Sequence, residues 1–439
     1  MKKANVSKGV CYLQFEPEHE ELIDQALRYE LANSHWIRRN SNWDGVVKLY
    51  NKKYRSFPVG LIERVEAIEG CIQLRYLDRL QPISVPEKSF FELPEVEPRP
   101  YQVQAVEKAV EKGMGIINIA TGGGKTLIGC EVIRRLGVKA IVFVPNKTLL
   151  GQWKRKMEKF FGVEIGVIGA GQKKVREITV CTVQSAKPEL VKDFNTAIFD
   201  ETHRLGAGKW RRVGRMCNAR YRFGLSATAL LREDNANLEI VGICGDILQV
   251  VKAKTLQDQG FLVPCRIEFV DVFSEKKRFL DYQDAYRVHI VENEDRNNAV
   301  LSEVMRLAGS GRKVLVLVDR VEHGRVFERM GFEFVHGQSS LDERRKAVED
   351  LNAGLIRVLV ATKVFGEGVD IPAVDAIVVA SPAASVIKVV QRVGRGLRLS
   401  LGKSELVVVD FFDHVQFFDR QARKRRLVYE AEGFEVVLR

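Results

Sequence analysis

A glycine-rich loop, Ala120-Thr-Gly-Gly-Gly-Lys-Thr126, is the segment whose residue types best suit phosphate chemistry. It follows an apolar run and precedes a helical stretch from Leu127 to Leu136, which predicts a strand, a loop and a helix in that order. Glycines let backbone amides converge on phosphate oxygens, and a helix N-terminus adds positive potential. Ile119 stands where the usual spacing has its first glycine, and a glycine turn with a solvated lysine is the alternative interpretation. The expected phosphate-cradling residues are Thr121, Gly122, Gly123, Gly124, Lys125 and Thr126.

Within this loop, two side chains have distinct expected tasks. The Lys125 ammonium would neutralise the β- and γ-phosphates of a nucleotide, and the Thr126 hydroxyl would ligate Mg²⁺. Two adjacent carboxylates, Asp200 and Glu201, could complete the site, because they directly follow the apolar run that begins at Thr196. We expect Asp200 to hold Mg²⁺ through water and Glu201 to polarise an attacking water as general base.

The elements that must position these residues follow a regular order from about residue 115. Short runs that are apolar on both faces alternate with amphipathic helical stretches, which predicts parallel sheets covered by helices on both sides. The order pauses from about 230 to 310 and then resumes, so we expect an α/β chain with two tandem doubly wound parallel-sheet domains. The apolar runs are 115–120, 140–144, 178–183, 196–200, 313–318, 357–362, 376–380 and 406–410.

The first ninety residues have a different pattern. A helical stretch from Glu18 to Ala32 and a basic, aromatic segment after it predict a small N-terminal α+β domain. Residues 90–100 are acidic and contain prolines, which is typical of a linker, and Gly260 and Pro264 mark a second join. We therefore expect an accessory domain at 1–90, a phosphate-binding domain at 91–262 and a C-terminal domain at 263–439.

Composition limits the class of protein. Of 439 residues, 46% are hydrophobic and 29% are charged, as in soluble globular proteins. No apolar run approaches the roughly 18 residues of a membrane span, and the basic start lacks the apolar core of a signal peptide. We expect a cytoplasmic protein (in the host cytoplasm if the chain is viral) with no membrane partner.

Cysteine usage and net charge indicate the compartment and the partner. Seven cysteines, an odd number with no CxxC spacing, argue against a disulfide framework and a zinc ribbon and fit a reducing compartment. The net charge of +12 favours a polyanionic partner, nucleic acid before membrane.

Five motifs in a fixed order resemble those of the superfamily 2 helicases and translocases, over roughly residues 97–400. Arg99-Pro-Tyr-Gln102 is similar to the family's adenine-recognition element, Asp200-Glu-Thr-His203 to its DExH box, and Ser226-Ala-Thr228 to the motif that couples ATP to nucleic acid. Residues 361–370 and 391–398 resemble motifs V and VI. The resemblance implies two RecA-like domains with ATP and Mg²⁺ bound between them.

The resemblance also implies roles for single residues. Arg395 and Arg398 lie one helical turn apart and would act as arginine fingers, although a structural arginine pair is the alternative. Gln391 would touch the γ-phosphate, and Asp370 would contact the ribose or orient an arginine. The remaining implied residues are Arg99 and Gln102 for adenine and His203, Ser226 and Thr228 for coupling.

Nucleic-acid contacts are implied at several strand ends. In this family polar side chains and backbone amides hold phosphates without reading sequence, whereas each of these residues could instead be a strand-end cap. Leu230-Leu-Arg-Glu-Asp234 resembles a charged element of the XPB-like branch, with a solvated loop as the alternative. The basic run from Arg420 to Arg426 predicts a helix with a solvated face or a DNA contact. The implied contacts are Asn146, Lys147, Thr182, Gln184 and Thr362.

The N-terminal segment interleaves basic and aromatic residues, which suits phosphates and exposed bases. An equally serious interpretation is a β-meander with buried aromatics and a turn at Asp44-Gly45. Asn42-Trp-Asp-Gly45 and Phe57-Pro-Val-Gly-Leu61 resemble the N-terminal domain of the UvsW-like phage helicases. The residues concerned are Trp36, Arg38, Arg39, Trp43, Lys52, Lys53 and Arg55.

These features together predict an ATP- and Mg²⁺-dependent DNA helicase or translocase, of the UvsW-like, RecG-like and XPB-like branch. We expect it to act as a monomer on branched, forked or duplex DNA, with recombination or replication proteins as candidate partners. Alternatives are an RNA helicase, a restriction-type DNA motor and an ATP-gated clamp that does not unwind. Removal of residues 1–90 should spare the ATPase and lower the preference for branched DNA.

Overall fold

The computed structural model describes residues 2–32, 34–230, 234–275, 277, 279–362, 373–382, 393–394, 396–400 and 402–439. The chain forms two compact units. The first comprises Met1–Ile119 and Gly124–Val251, and the second comprises Ala120–Gly123 and Lys252–Arg439. The division after Val251 comes earlier than the expected join near Gly260. The three domains bounded at 90 and 262 therefore stay a prediction.

The first unit begins with a small α+β region that has its own sheet. Strands β1 (Lys3–Ser7), β2 (Val10–Leu13), β5 (Ser56–Pro58) and β6 (Gln73–Tyr76) form it in the order β5-β2-β1-β6. Strands β3 (Arg28–Glu30) and β4 (Val46–Lys48) pair separately. The helices here are α1 (Glu20–Ala26), α2 (Ser34–Asn40) and α3 (Ile62–Glu69).

One expectation for this region was wrong. Helix α1 ends at Ala26 and not at Ala32, because Arg28–Glu30 pairs as a strand with Val46–Lys48. The alternative of a meander with buried aromatics holds only in part. Trp36, Trp43 and Tyr54 are exposed and Trp36 belongs to α2, whereas Tyr50 and Phe57 are buried in the core.

The large sheet of the first unit carries the glycine loop. Its order is β10-β9-β11-β8-β12-β13-β7-β14, and every pair except β9 with β10 is parallel. The strands are β7 (Met114–Ile119), β8 (Ala140–Val144), β9 (Gly166–Gly169), β10 (Gln172–Lys174), β11 (Ile178–Thr182), β12 (Thr196–Asp200), β13 (Tyr221–Ser226) and β14 (Ile247–Val251). The helices are α4 (Pro100–Lys112), α5 (Lys125–Leu136), α6 (Lys147–Phe161), α7 (Pro188–Val191), α8 (Gly208–Met216) and α9 (Asn237–Cys244).

The second unit contains another parallel sheet, in the order β17-β18-β16-β19-β20-β15-β21 among the described residues. Its strands are β15 (Cys265–Val272), β16 (Val314–Leu317), β17 (Glu333–Val335), β18 (Val358–Ala361), β19 (Ala376–Val379), β20 (Leu406–Asp413) and β21 (Glu435–Leu438). The helices described are α10 (Ala253–Asp258), α11 (Tyr282–Tyr286), α12 (Glu294–Gly309), α13 (Val321–Arg329), α14 (Leu341–Ala353) and α15 (Phe418–Ala431). Two RecA-like parallel-sheet domains and a small N-terminal α+β region confirm the expected fold class.

The N-terminal region shares its core with the large sheet of the first unit. Leu61 and Val59 belong to one apolar cluster with Ile240 and Val241 of α9. A Cβ atom added to Gly60 would lie 2.1 Å from the carbonyl oxygen of Val241, so the two backbones approach as closely as glycine allows.

The segment expected to be a linker is also packed. Phe90 and Phe91 are buried, and the Phe90 ring stacks on Phe160 at 5.2 Å. The backbone N–H of Phe90 donates to the buried carboxylate of Glu131 at 3.0 Å. Among the described residues, no helix is long and apolar enough to cross a bilayer.

Candidate functional site

The glycine loop joins β7 to α5, as the sequence predicted. Gly122 and Gly124 have φ angles of +86° and +81°, in the left-handed region that favours glycine. Gly124 precedes the first residue of α5, Lys125, so the loop leads directly into a helix N-terminus. A side chain at Gly124 would collide with Gln102, because an added Cβ atom would lie 2.3 Å from Nε2 of that residue. The loop thus offers a backbone cradle with the geometry that phosphate binding needs.

The residues of the predicted adenine element lie at the start of α4. The Gln102 side chain is buried, and its Oε1 accepts a hydrogen bond of 3.0 Å from the backbone N–H of Arg99. The Arg99 guanidinium donates to the Tyr101 hydroxyl at 2.9 Å. Because Gln102 also lies against Gly124, the fold brings this element to the glycine loop, although 22 positions separate the two residues in sequence.

The positive charge of Lys125 acts on the carboxylate of Asp200, and both groups have defined hydrogen-bond partners. The Lys125 ammonium donates a hydrogen bond of 2.9 Å to the carbonyl oxygen of Ile119. Burial raises the pKa of Asp200, while the indole of Trp153 and the positive charge of Lys125 act in the opposite direction. The Trp153 indole N–H donates to Oδ2 of Asp200 at 2.8 Å, and the backbone N–H of Glu201 donates to Oδ1 at 3.1 Å. Sequence reasoning missed Trp153, which resembles an ordinary core residue of an amphipathic helix.

The DExH segment and the Ser-Ala-Thr segment meet at neighbouring strand ends. In the parallel pairing of β12 with β13, Asp200 lies opposite Leu225, so Glu201 and Ser226 both follow immediately. Nδ1 of His203 lies 3.4 Å from Oε2 of Glu201 and 3.4 Å from the Ser226 hydroxyl. That hydroxyl accepts a bond of 3.0 Å from the backbone N–H of Thr228. These contacts run from Glu201 through His203 to Ser226 and connect the two motifs, and we call them the polar line.

Glu201 has an unusual backbone conformation. Its φ and ψ are +59° and +51°, a left-handed conformation that a residue with a Cβ atom adopts at an energetic cost. Strain of this kind persists where surrounding contacts enforce it and is frequent at catalytic sites. Here the conformation places Glu201 between buried Asp200 and the short helix Thr202–Gly206.

The predicted nucleic-acid residues of the two parallel sheets lie at carboxyl ends of strands. Asn146 caps α6, since its Oδ1 accepts a bond of 2.9 Å from the backbone N–H of Leu149, so its side chain has a structural role. Lys147 and Gln184 are exposed, and the hydroxyl of buried Thr182 donates to Ser185 at 3.0 Å. Thr362 follows β18 in the second unit and is buried.

The N-terminal candidates are exposed and partly paired. Trp43 donates its indole N–H to the carbonyl oxygen of Val46 at 3.2 Å. Lys52 forms an ion pair with Glu21, and the Lys53 ammonium lies 5.4 Å from the centre of the Tyr54 ring. The basic run near the C-terminus is helical as expected, within α15. Arg425 is nevertheless buried, where its guanidinium donates two bonds of 2.9 Å to Asp410.

The remaining predicted residues are divided between the described part of the chain and the rest. Arg398 belongs to the second unit and is half-buried. Asp234 is described, and its Oδ1 accepts a bond of 3.2 Å from the backbone N–H of Ala236. Outside the described residues lie Arg232, Glu233, Asp370, Gln391 and Arg395.

Two family models match separate parts of the chain. The model described as the res subunit of type III restriction enzymes matches residues 95–230, which include α4, the glycine loop and the DExH segment. The model described as the helicase conserved C-terminal domain matches residues 296–400. The two matched regions lie in the order of the two parallel sheets.

Similar proteins extend over most of the chain. The DNA 3'-5' translocase XPB2 of Sulfurisphaera tokodaii is 25% identical over 434 residues, which cover 88% of this chain and 95% of that protein. The ATP-dependent DNA helicase uvsW of Enterobacteria phage T4 is 25% identical over 435 residues, which cover 88% of this chain and 85% of that protein. A solved fragment assigned as an HsdR subunit of a type I restriction enzyme from Vibrio vulnificus YJ016 has a TM-score of 0.60 at 19% identity. It covers 98% of this chain and 84% of that one, a likeness of fold.

Proposed function

Because the chain belongs to the superfamily 2 helicases and resembles UvsW and the XPB proteins, we propose that it uses ATP and Mg²⁺ to move along or separate the strands of branched or duplex DNA. Such an activity would serve recombination, replication-fork rescue or repair. The observation that carries the proposal is the polar line from Glu201 through His203 to Ser226, beside the glycine loop.

The residues around the loop fit a nucleotide with its metal. The loop has no side chain at Gly122, Gly123 or Gly124, and a helix begins directly after it. Thr126 and Asp200 are the candidate metal-binding pair, since Mg²⁺ is usually held by one or two protein groups together with substrate phosphates. The metal would neutralise charge that develops on the phosphates.

The chain's own groups would then divide the work of hydrolysis. The Lys125 ammonium offsets phosphate charge from the start of α5, where the helix dipole adds to it. The Glu201 carboxylate accepts a proton from the attacking water. His203 touches both Glu201 and Ser226, so a shift of the Ser-Ala-Thr segment would reach the carboxylate that activates water.

The direction of movement is part of the proposal. The printed name of the Sulfurisphaera tokodaii relative gives a 3'-5' translocase, and several other similar proteins carry the same polarity in their names. We extend this polarity to the present chain. A streptavidin-displacement assay with biotin at either end of a single strand measures it, and faster displacement from the 5' end would support 3'-to-5' movement.

The central experiment compares ATP hydrolysis and strand separation on fork, Holliday-junction, duplex and single-stranded DNA and on RNA. We expect the fork or the junction to give the strongest stimulation and to be unwound. Glu201→Gln should bind ATP but not turn it over, and Lys125→Ala should lose turnover while still binding DNA.

Two results would contradict the proposal, and a third would narrow it. Displacement of a triplex-forming strand without unwinding would narrow it to movement along duplex DNA, as in a restriction-type motor. Stimulation by RNA alone would contradict it and support an RNA helicase. Tight ATP-dependent DNA binding with neither unwinding nor translocation would support a clamp.

A further inference from the structure

Three aromatic rings form a stacked ladder in the second unit, outside every motif considered above. The rings of Phe412 and His414 have centroids 4.7 Å apart, and those of His414 and Phe273 are 4.6 Å apart. The last two rings are nearly parallel, with planes 6° apart. Phe412 is buried, whereas Phe273 is 76% exposed. The ladder therefore begins in the core and ends at an aromatic ring exposed to solvent.

Polar contacts fix the middle ring. Nε2 of His414 lies 2.6 Å from Oδ1 of Asp271, and Nδ1 lies 3.7 Å from Asp419. The backbone N–H of His414 donates to the carbonyl oxygen of Val272 at 3.1 Å. Single exposed apolar residues are common on protein surfaces and need no explanation. Here the Phe273 ring lies flat on an imidazole that a hydrogen bond to Asp271 and a backbone bond hold in place, and we call this pair of rings the platform.

The platform lies at the edge of the sheet where ligands bind in folds of this kind. Val272 and Asp413 are the last residues of β15 and β20 and pair with each other, so Phe273 and His414 directly follow two parallel strands. Parallel α/β sheets bind their ligands outside the carboxyl ends of strands. Thr362 follows β18 at the same edge, four strands from β15, which ends directly before Phe273; the span is about 19 Å at the usual strand spacing.

The groups beside the ladder carry both signs of charge. The Arg423 guanidinium lies 5.4 Å from the centre of the buried Phe412 ring, and it pairs with Asp419. Asp271 and Asp419 are partly exposed, and their nearest cationic or imidazole partners are His414 and Arg423. The feature that suits single-stranded nucleic acid is therefore the exposed flat ring of Phe273, because bases stack on aromatic side chains.

We propose that the exposed face of Phe273 stacks an unpaired nucleobase of the DNA strand held at this edge, with His414 as its support. The inference rests on the proposed function and adds a base contact to a set of residues that are expected to contact only phosphates. Such a contact would let the second unit bind single-stranded DNA in preference to duplex DNA, because the bases of a duplex are paired and not available for stacking.

Equilibrium binding of a fluorescent single strand tests the proposal with the full chain. Phe273→Ala should weaken binding about 5- to 150-fold, the range expected for loss of one base stack. Phe273→Trp should keep or strengthen binding because it keeps a flat ring. His414→Phe should stay near wild type, and His414→Ala should lose part of the affinity. The matched control is Leu355→Ala, an equally exposed apolar residue that precedes β18 at the opposite edge of the sheet.

A strand of the same length made of abasic residues separates base stacking from phosphate contact. We expect wild type and Phe273→Ala to bind this strand equally and to differ only on the strand with bases. Equal binding of the base-containing strand by both proteins, or an equal loss on both strands, would overturn the inference. If wild type neither binds single strands nor hydrolyses ATP faster with DNA, the proposed function fails as well. If wild type is stimulated and Phe273→Ala is unchanged, only the stacking site is wrong.

Discussion

The indole N–H of Trp153 donates a hydrogen bond of 2.8 Å to Oδ2 of Asp200, although 47 positions separate the two residues. Trp153 is buried on α6, and Asp200 ends β12. The backbone N–H of Glu201 bonds the other carboxylate oxygen, so both oxygens of Asp200 have a donor. Burial alone favours protonated Asp200, and these donors favour the charged form that a metal requires. We infer that Trp153 positions the carboxylate for Mg²⁺.

Trp153→Phe tests this role because it keeps an aromatic ring and removes the donor. We expect the Mg²⁺ concentration for half-maximal ATP hydrolysis to rise about 10-fold, the usual scale for losing a group that orients a metal ligand. Binding of ATP without metal should change little. Trp210→Phe, at another buried tryptophan of the same unit, is the control and should leave the Mg²⁺ dependence unchanged. Identical Mg²⁺ curves for Trp153→Phe and wild type would remove Trp153 from the metal site.

His203 should control the response of ATP hydrolysis to DNA. Its ring contacts both Glu201 and Ser226, so His203→Ala breaks the polar line between the two motifs. We expect DNA-free ATP hydrolysis to persist and stimulation by DNA to fall about 5-fold or more, within the usual range of coupling between sites. Ser226→Ala should have the same effect, and the double variant should lose no more than either single variant. Additive losses would show that the two residues act independently.

The parts of the site predicted from sequence depend on local patterns. The loop from Ala120 to Thr126 and the strand that ends at Asp200 both have signals within a few residues: an apolar run, then glycines or carboxylates. The strand Thr196–Asp200 was confirmed with the expected bounds. The strand and the helix on either side of the glycine loop were confirmed with bounds that differ from the expected ones by one or two residues. The order of strands in the sheet brought these segments together, as expected for parallel strands.

The features that sequence reasoning missed depend on distant partners. Trp153 has the spacing of a core residue, and nothing near it indicates a bond to Asp200. Arg425 stands in a basic run that suggests a solvated face, yet its buried partner Asp410 ends the apolar run of the neighbouring strand. In both cases a polar group is satisfied by tertiary contact, which composition and periodicity do not reveal.

Gly60 tests how firmly the N-terminal region is bound to the first parallel sheet. Gly60→Ala would place a methyl group 2.1 Å from the carbonyl oxygen of Val241 and 2.6 Å from the backbone nitrogen of Gly245, neither of which can move without displacing α9. We expect a loss of about 1–3 kcal/mol in the free energy of unfolding, as for other overpacked sites. Gly151→Ala on α6 is the control, since its added methyl group would only make an ordinary contact with Arg155.

The same contact changes how removal of residues 1–90 should be interpreted. Such a truncation would expose apolar residues of α9 that now pack on Val59 and Leu61, so lost activity could follow from lost stability. Substitutions at exposed Trp36, Trp43 and Lys53 test DNA contact without that effect. A thermal scan in which Gly60→Ala and Gly151→Ala unfold at the same temperature would show that the two regions are loosely joined.

His323 should make the second unit less stable at mildly acidic pH. Its ring is buried on α13, where Nδ1 lies 3.0 Å from the Ser381 hydroxyl and Nε2 lies 3.0 Å from Oδ1 of Asn297. Burial, aided by the positive charge of Arg296, lowers the pKa of His323 well below its ordinary value of 6.5. The unfolded chain therefore takes up a proton at this residue below about pH 6.5 while the folded chain does not, and stability falls as pH falls.

The expected slope is up to about 1.4 kcal/mol per pH unit for this one proton. Thermal unfolding from pH 7.5 to 5.5 measures it, in a window above the range where ordinary carboxylates titrate. His323→Gln keeps hydrogen-bonding atoms but cannot titrate, so its unfolding temperature should fall less across the window than that of wild type. The other histidines are common to both proteins, and the difference between the two profiles therefore isolates His323. Parallel profiles would mean that His323 takes up its proton to the same extent in the folded and unfolded chains, and the buried neutral ring would be the wrong description.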